Sequence, residues 1–569
     1  MLVSSLSEMI SLGILLPFLG VLSDPSRLLT DARWQPLFVY ANITSSSQLV
    51  TGLALLFIIA TLVASGLRLL TQHVQLTLSA SIGSDISSQI FQKTLHQPYC
   101  FYIQHNSSDL MQTLIDDTHR ITVQVVRPLL VLFTDSMLSI GIIGALILID
   151  ARTAVSAAVL LGGAYITIYR LKRKVLEQNS KTISRSGQLK IKAVQESLGG
   201  IRELLISHRQ SFFQQLYRNS DYNFRQGQAM NAFWAISPRS MVEAIAMCGI
   251  ALLALASGND GDFSEVVPVL GALALGAKRL LPALQSVFGC FATIQGSRAS
   301  LIRVLIALKR SIAPLAILPA SEFPLILNKD LQLRDIWFRY SHDSAWVLRG
   351  LNMKIAAKTT VGFVGSTGSG KSTTADLILG LLQSQKGEMW VDDQLLKGES
   401  LQAWQQGIAM VPQSIFLTDA SVAENIAFAV PREEIDFEQV RKAARLARID
   451  EFIEKLPTGY DTYVGERGVR LSGGQRQRIG IARALYRQAS VVVFDEATSA
   501  LDNSTEKEVM TAINGLSHQL TIILIAHRLS TVEKCDKIFE LEQGQVVAEG
   551  TYQELKESSQ SFRHMLSQR

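Results

Sequence analysis

At 569 residues the chain is too long for a single hydrophobic core. Hydrophobic residues make up 48% and charged residues only 18%, with a mean hydropathy of +0.22. These values are high for a soluble enzyme and fit an average over a membrane half and a water-facing half. The net charge of +5 does not imply a nucleic-acid partner, because Lys and Arg gather in one segment instead of spreading over a face.

Up to about Gln295 the chain carries apolar runs at roughly 3–22, 49–70, 123–149, 154–169, 238–257 and 265–294. Most reach the roughly 20 residues needed to cross a hydrocarbon core, so six spans are predicted over 1–300. The first run has no basic leader and no small-residue cleavage pattern, so it reads as a span, not a removed signal. Thirteen Lys and Arg lie between Arg170 and Arg239, against three (Arg27, Arg33, Arg152) in the loops expected outside, which puts the basic loop in the cytoplasm. Six crossings return the chain to that side.

Two connections, 71–120 and 171–236, are long and polar. They are expected to be helical and cytoplasmic, with a short transverse helix at each tip, near 97–109 and 208–223. Charged groups inside the spans are Glu8, Asp135, Glu243, Lys278 and Arg279. Each costs about 2.5 to 3.5 kcal/mol at a helix centre, so each either lines a pathway or snorkels and pairs within a water-filled bundle. Lys278 and Arg279 are the strongest pathway candidates, since a cationic pair can neutralise an anionic head group. Cys100, Cys248, Cys290 and Cys535 have no close spacing and read as free thiols.

Beyond a linker at 301–328, residues 329–569 read as short strands and amphipathic helices separated by glycine turns. A strand at 361–364 runs into Gly365-Ser366-Thr367-Gly368-Ser369-Gly370-Lys371-Ser372 and then a helix at 373–382. In this pattern backbone N–H groups wrap phosphates at a helix N-terminus, Lys371 reaches the terminal phosphates and the Ser372 hydroxyl ligates Mg²⁺. A second strand, 491–494, ends in Asp495-Glu496. There Asp495 serves the metal and Glu496 polarises the attacking water. A third, 521–526, delivers His527, whose imidazole can donate to the γ-phosphate.

Leu471-Ser472-Gly473-Gly474-Gln475, followed by Arg476-Gln477-Arg478, resembles the signature motif of ATP-binding cassette transporters. Tyr340 matches the family's adenine-stacking aromatic, Gln413 its glutamine loop, the run from Ser499 to Asp502 its loop between cassettes, and Val464 to Gly468 the segment exporters place before the signature. The resemblance implies an α-helical exporter-type membrane bundle fused to an α/β P-loop cassette. It assigns ATP contacts to Tyr340, the loop from Gly365 to Ser372 and Thr373, and, across a head-to-tail dimer, to Ser472, Gly473, Gly474, Gln475 and Asp502. It implies Mg²⁺ held by Ser372, Gln413 and Asp495, and catalysis by Glu496, His527 and Gln413.

Because the motifs are intact, a homodimer is the economical reading and a heterodimer the alternative. Membrane domain before cassette on one chain is the exporter order. Ser7 to Leu19, Gln97-Pro98-Tyr99, Asn106 to Leu110 and Ala277 to Leu284 are similar to bacterial flippases of lipid-linked oligosaccharides. That implies an amphipathic or lipid-linked substrate, with Lys278 and Arg279 as its candidate contacts, at the bacterial inner membrane. A drug, general lipid or peptide exporter is the alternative, ahead of a soluble cassette ATPase or an ATP-gated regulator. Family members usually carry an elbow helix and a fuller first span before the part that begins here at Met1.

Overall fold

The first half is helical in a computed structural model that describes residues 45–149, 151–257, 281–312, 323–495, 503–526 and 528–567, with a few positions among the first fourteen. Helix Ser46–Leu95 runs unbroken for 50 residues, about 75 Å at the usual helical rise. This is far more than a bilayer needs, so the polar stretch after 70 continues the same rod. The next helical run covers 107–149, and Ala151–Gly199 adds another 49-residue helix. Among the described residues, Ser47–Leu95 and Ser107–Gly144 are long and apolar enough to cross a membrane, and the bent pair Leu281–Gly296 and Arg298–Lys309 makes a third candidate. The fourth and fifth apolar runs fall in Ala151–Gly199 and Pro238–Ser257. Glu8, Lys278 and Arg279 lie outside the described residues.

The first expected tip contains a short helix, whereas the second expected window, 208–223, holds the start of helix Gln210–Ile236 and the short helix lies before it. The first is Tyr99–Gln104, after Pro98. The second is Ile201–Ser207, ahead of the expected 208–223. The break falls earlier because Gly199-Gly200 ends the preceding helix and His208 turns left-handed at φ 51°, after which Gln210–Ile236 starts afresh.

Contacts divide the chain into two units, Met1–Leu95 with His105–Ser311, and His96–Gln104 with Ile312–Arg569. In the first unit, polar side chains stabilise departures from regular helix. The bend of 61° after Gly296 leaves helix-end groups that neighbours satisfy: Asn231 Nδ2 donates to Gly296 O at 3.2 Å, and Ala299 N donates to Ser180 Oγ at 2.9 Å. Two π-helical turns, Gln112–Asp117 and Thr122–Val126, interrupt the 107–149 run. The Ser79 hydroxyl donates to Thr122 O at 3.0 Å, and buried Asp117 pairs with Arg303 at 2.7 Å. Asp135 accepts a hydrogen bond from the Ser286 hydroxyl, while Glu243 is exposed. Helix Arg298–Lys309 belongs to this unit and occupies much of the stretch read as the start of the linker.

The second unit holds two sheets. Strands β1 (Asp330–Phe338), β2 (Leu348–Ala356), β4 (Lys386–Val391) and β5 (Gln394–Leu395) form an antiparallel sheet in the order β2-β1-β4-β5. Strands β3 (Thr360–Val364), β6 (Ile408–Val411), β7 (Val491–Asp495), β8 (Thr521–Ile525), β9 (Lys537–Glu542) and β10 (Gln545–Gly550) form the other, ordered β10-β9-β3-β8-β7-β6. All its neighbours are parallel except β9 and β10. Every residue of β3 and β8 is buried, which is why these strands read as continuous apolar runs without alternation. The three strands expected at 361–364, 491–494 and 521–526 agree with β3, β7 and β8 to within one residue at each end. One core cluster contains β9's Phe539 and β1's Phe338, and the other contains Ile479 and Ile481 of helix Gly473–Tyr486.

Trp404, fully buried, anchors the first of these clusters and donates its indole N–H to Ile378 O, at the end of helix Lys371–Ile378, at 2.6 Å. Trp404→Ala should destabilise the cassette by roughly 3 to 5 kcal/mol. Thermal unfolding of the detergent-solubilised chain checks this, and an unchanged midpoint contradicts it.

Candidate nucleotide site

Strand order brings the chemistry together. Along the edge β3-β8-β7-β6, the carboxyl ends of four parallel neighbours deliver the glycine loop after Val364, the segment after Ile525, Asp495, and Pro412-Gln413 after Val411. In open α/β sheets this edge is where ligands bind.

The loop from Gly365 to Gly370 is shaped by positions only glycine fits. Gly365 has φ +145°, and a Cβ there would sit 2.1 Å from Leu541 O. Gly370 has φ +103° and caps helix Lys371–Ile378. Gly368, at φ +83°, has no heavy atom of the described residues within 4 Å of where a Cβ would stand, so they leave its surroundings open. The Lys371 ammonium folds back to donate to Gly365 O at 2.8 Å and Ser366 O at 2.9 Å. The buried Ser369 hydroxyl has no hydrogen-bond partner among the described residues, and the Ser372 side chain is exposed. An open glycine, an orphan hydroxyl, a helix N-terminus and a nearby ammonium fit a phosphate.

Tyr340 follows β1. Its ring stands edge-on to Phe338 at 5.0 Å, and its hydroxyl shares a hydrogen bond with the Thr373 hydroxyl at 3.0 Å. Sequence reasoning brought these two residues to one nucleotide without seeing that they touch. Gln413 is exposed. Asp495 has Asp376 of the loop helix for a neighbour, and burial, then the Asp495 charge, pushes the Asp376 carboxyl up to about 6. An acidic strand end such as Asp495 suits a divalent cation. Glu496, Asp502 and His527 lie outside the described residues.

The signature motif begins helix Gly473–Tyr486 through a capping box: Gln475 N donates to Ser472 Oγ at 3.2 Å, and Ser472 N donates to Gln475 Oε1 at 2.8 Å. Gln475 therefore has a structural task in fixing the start of the helix. Arg476 donates to Leu471 O at 2.7 Å and reaches Gly468 O at 3.4 Å, tying the preceding segment to the signature. Arg483, missed in the sequence, donates to Asn425 O and Phe416 O, both at 2.9 Å, with its guanidinium over the Phe428 ring. It joins the stretch after the glutamine loop to the signature helix. Its signal is faint, since it is one of three arginines in the helix Gly473–Tyr486.

A phosphate loop and an acidic strand end on one sheet edge, in a chain with membrane-length helices, define an ATPase built into a membrane protein. The ABC transporter family matches residues 348–499, and the ABC transporter transmembrane region matches residues 3–259. An ATP-dependent lipid A-core flippase of Shewanella denitrificans is 32% identical over 500 residues, covering 85% of this chain and 80% of the relative. Flippases of the same name from Nitrosococcus oceani and Chromohalobacter salexigens are 30% and 29% identical, covering 92% and 88% of this chain and 87% and 86% of theirs. The structure of a bacterial Atm1-family ABC exporter with ATP bound shares the fold, with a TM-score of 0.77 at 22% identity over 98% of this chain and 97% of that one. The chain belongs to the ABC transporter family and is a half-transporter of the exporter type, an ATPase coupled to transport across a membrane.

The Asp376 shift carries a pH dependence. Its folded value lies above the unfolded 3.8, so the stability it lends is present at low pH and is lost as pH rises through about 6. Asp376→Asn should therefore raise the melting temperature of the nucleotide-free protein near neutral pH and above, and the gain should shrink toward about pH 4. A pH series of thermal melts checks the sign, and a gain that grows on acidification contradicts it.

Proposed function

We propose that two copies of this chain form a flippase that moves an anionic, lipid-linked glycan across the bacterial inner membrane, its cassettes in the cytoplasm. The observation carrying this reading is the similarity, over 85% or more of this chain, to proteins named lipid A-core flippases, joined to the phosphate-fitting edge of the parallel sheet. Basic residues concentrated between Arg170 and Arg239 support the cytoplasmic placement.

Phosphates of ATP would lie on the amides of the glycine loop, with Lys371 swinging from the Gly365 and Ser366 carbonyls to the terminal phosphates. Tyr340 would stack on the base. Ser372, Gln413 and Asp495 would hold Mg²⁺, which supplies positive charge against the phosphates. Glu496 would take the proton of the attacking water, and His527 would donate to the γ-phosphate. The amides of Gly473 and Gly474, at a helix start fixed by Ser472 and Gln475, form a second anion-binding surface, which in a head-to-tail pair meets the ATP held by the other copy. Asp502 would line the seam. Closure and release of that pair would bias the membrane helices between inward and outward access. Lys278 and Arg279 would neutralise the head group of the substrate.

In liposomes, the wild-type protein should flip a phosphorylated glycolipid when ATP is present, and Glu496→Gln should bind ATP while losing about 100-fold or more of hydrolysis and flipping. Flipping only of neutral amphipathic drugs would replace the substrate assignment, and near-normal hydrolysis in Glu496→Gln would remove the base.

Mixing Ser472→Arg chains with Lys371→Ala chains should restore one composite site per mixed dimer. ATPase of purified mixed dimers that stays at the level of the parents contradicts the arrangement in trans.

A further inference from the structure

Nine residues from the first half of the sequence, His96–Gln104, fold with the cassette. In helix Tyr99–Gln104, Cys100 packs against the cluster that includes Ala375 and Leu379, at the helix following the phosphate loop. Burial, then the carboxyl of Asp376, raises the Tyr99 hydroxyl above its usual range, which places that side chain against the same helix. At the end of the short helix, Gln104 Nε2 donates to the backbone carbonyl of Tyr340 at 3.1 Å.

Tyr340 is thereby held at three points: Phe338 stands edge-on to its ring, Thr373 bonds its hydroxyl, and Gln104 bonds its carbonyl. The residue before it is fixed as well, since Arg339 N donates to Gln385 Oε1 at 3.0 Å and Gln385 Nε2 returns a bond to Arg339 O at 2.8 Å. Past Tyr340 the chain turns through Ser341 and Ser344. The Gln104 amide, from outside 323–569, grips the peptide that joins Tyr340 to this turn.

We propose that Gln104 is a positioning residue for the base-stacking ring, so that the seating of helix Tyr99–Gln104 sets the affinity for ATP. The inference rests on the reading of Tyr340 as the adenine platform. It deepens that reading by making a segment from the membrane half of the sequence a determinant of nucleotide binding. Its effect is confined to the base, because the phosphates are held by amides and Lys371.

The test is calorimetric binding of ATP and of inorganic tripolyphosphate, which has no base, to the full-length protein in nanodiscs. Gln104→Met keeps the side-chain length and removes the donor, and Gln104→Lys returns one. Gln104→Met should weaken ATP binding about threefold, the scale of one exposed hydrogen bond, and leave tripolyphosphate unchanged. Gln104→Lys should recover the wild-type value. In a Tyr340→Leu background, Gln104→Met should have no further effect. Unchanged ATP affinity in Gln104→Met, equal weakening of both ligands, or a full effect in the Tyr340→Leu background overturns the assignment. Wild-type ATP affinity in Tyr340→Leu alone would instead remove the platform on which the inference stands. None of these readouts depends on which lipid is moved.

Discussion

A parallel sheet buried on both faces has only its strand ends to offer water and ligand, and in this cassette four neighbouring strands end at one edge. Val361, Phe363, Val491, Val493, Ile523 and Ile525 are each 3% exposed or less. They contribute no polar group, yet they determine where the phosphate loop, Asp495 and Gln413 stand. The phosphate loop and the acidic strand end are hung from that register, in which Val361 pairs with Ile523 and Val493 also pairs with Ile523. A slip of one residue would move the acidic strand end relative to the glycine loop and turn core side chains away from their clusters.

The site is stabilised by groups that never approach nucleotide. The guanidinium of Arg483 and the indole of Trp404 each satisfy backbone carbonyls at the ends of elements. Unpaired buried carbonyls are costly, so these bonds fix loops that would otherwise be loosely held. The Ser472 and Gln475 box does the same for the signature helix. In the membrane unit the pattern recurs, with Asn231 and Ser180 meeting the freed groups at the Gly296 bend.

Much of this was legible because glycine and buried strands leave strong marks. Gly365, Gly368 and Gly370 all have positive φ, a demand that few other residues meet, and β3, β7 and β8 are apolar from end to end apart from Thr360, Asp495 and Thr521. The helical extensions beyond the spans were legible only in outline, since polar helix and solvated loop have similar composition. The displaced tip at Ile201–Ser207 turned on a left-handed His208, for which the sequence has no reliable sign. Pairings across long separations, Gln104 with Tyr340 or Asp376 with Asp495, left no local trace at all. They arise from packing, which a linear pattern does not encode.

The exchange of His96–Gln104 between units has a consequence for how the chain is made. The peptide that completes the cassette's surface leaves the ribosome more than 200 residues before the strands that receive it. A ribosome must therefore finish the second half before the unit that takes up His96–Gln104 is whole, and a cassette expressed alone would lack the Cys100 side chain that packs on its apolar cluster. Severing the gene at the 311/312 boundary would leave the first fragment carrying nine residues of the second unit's unfinished business.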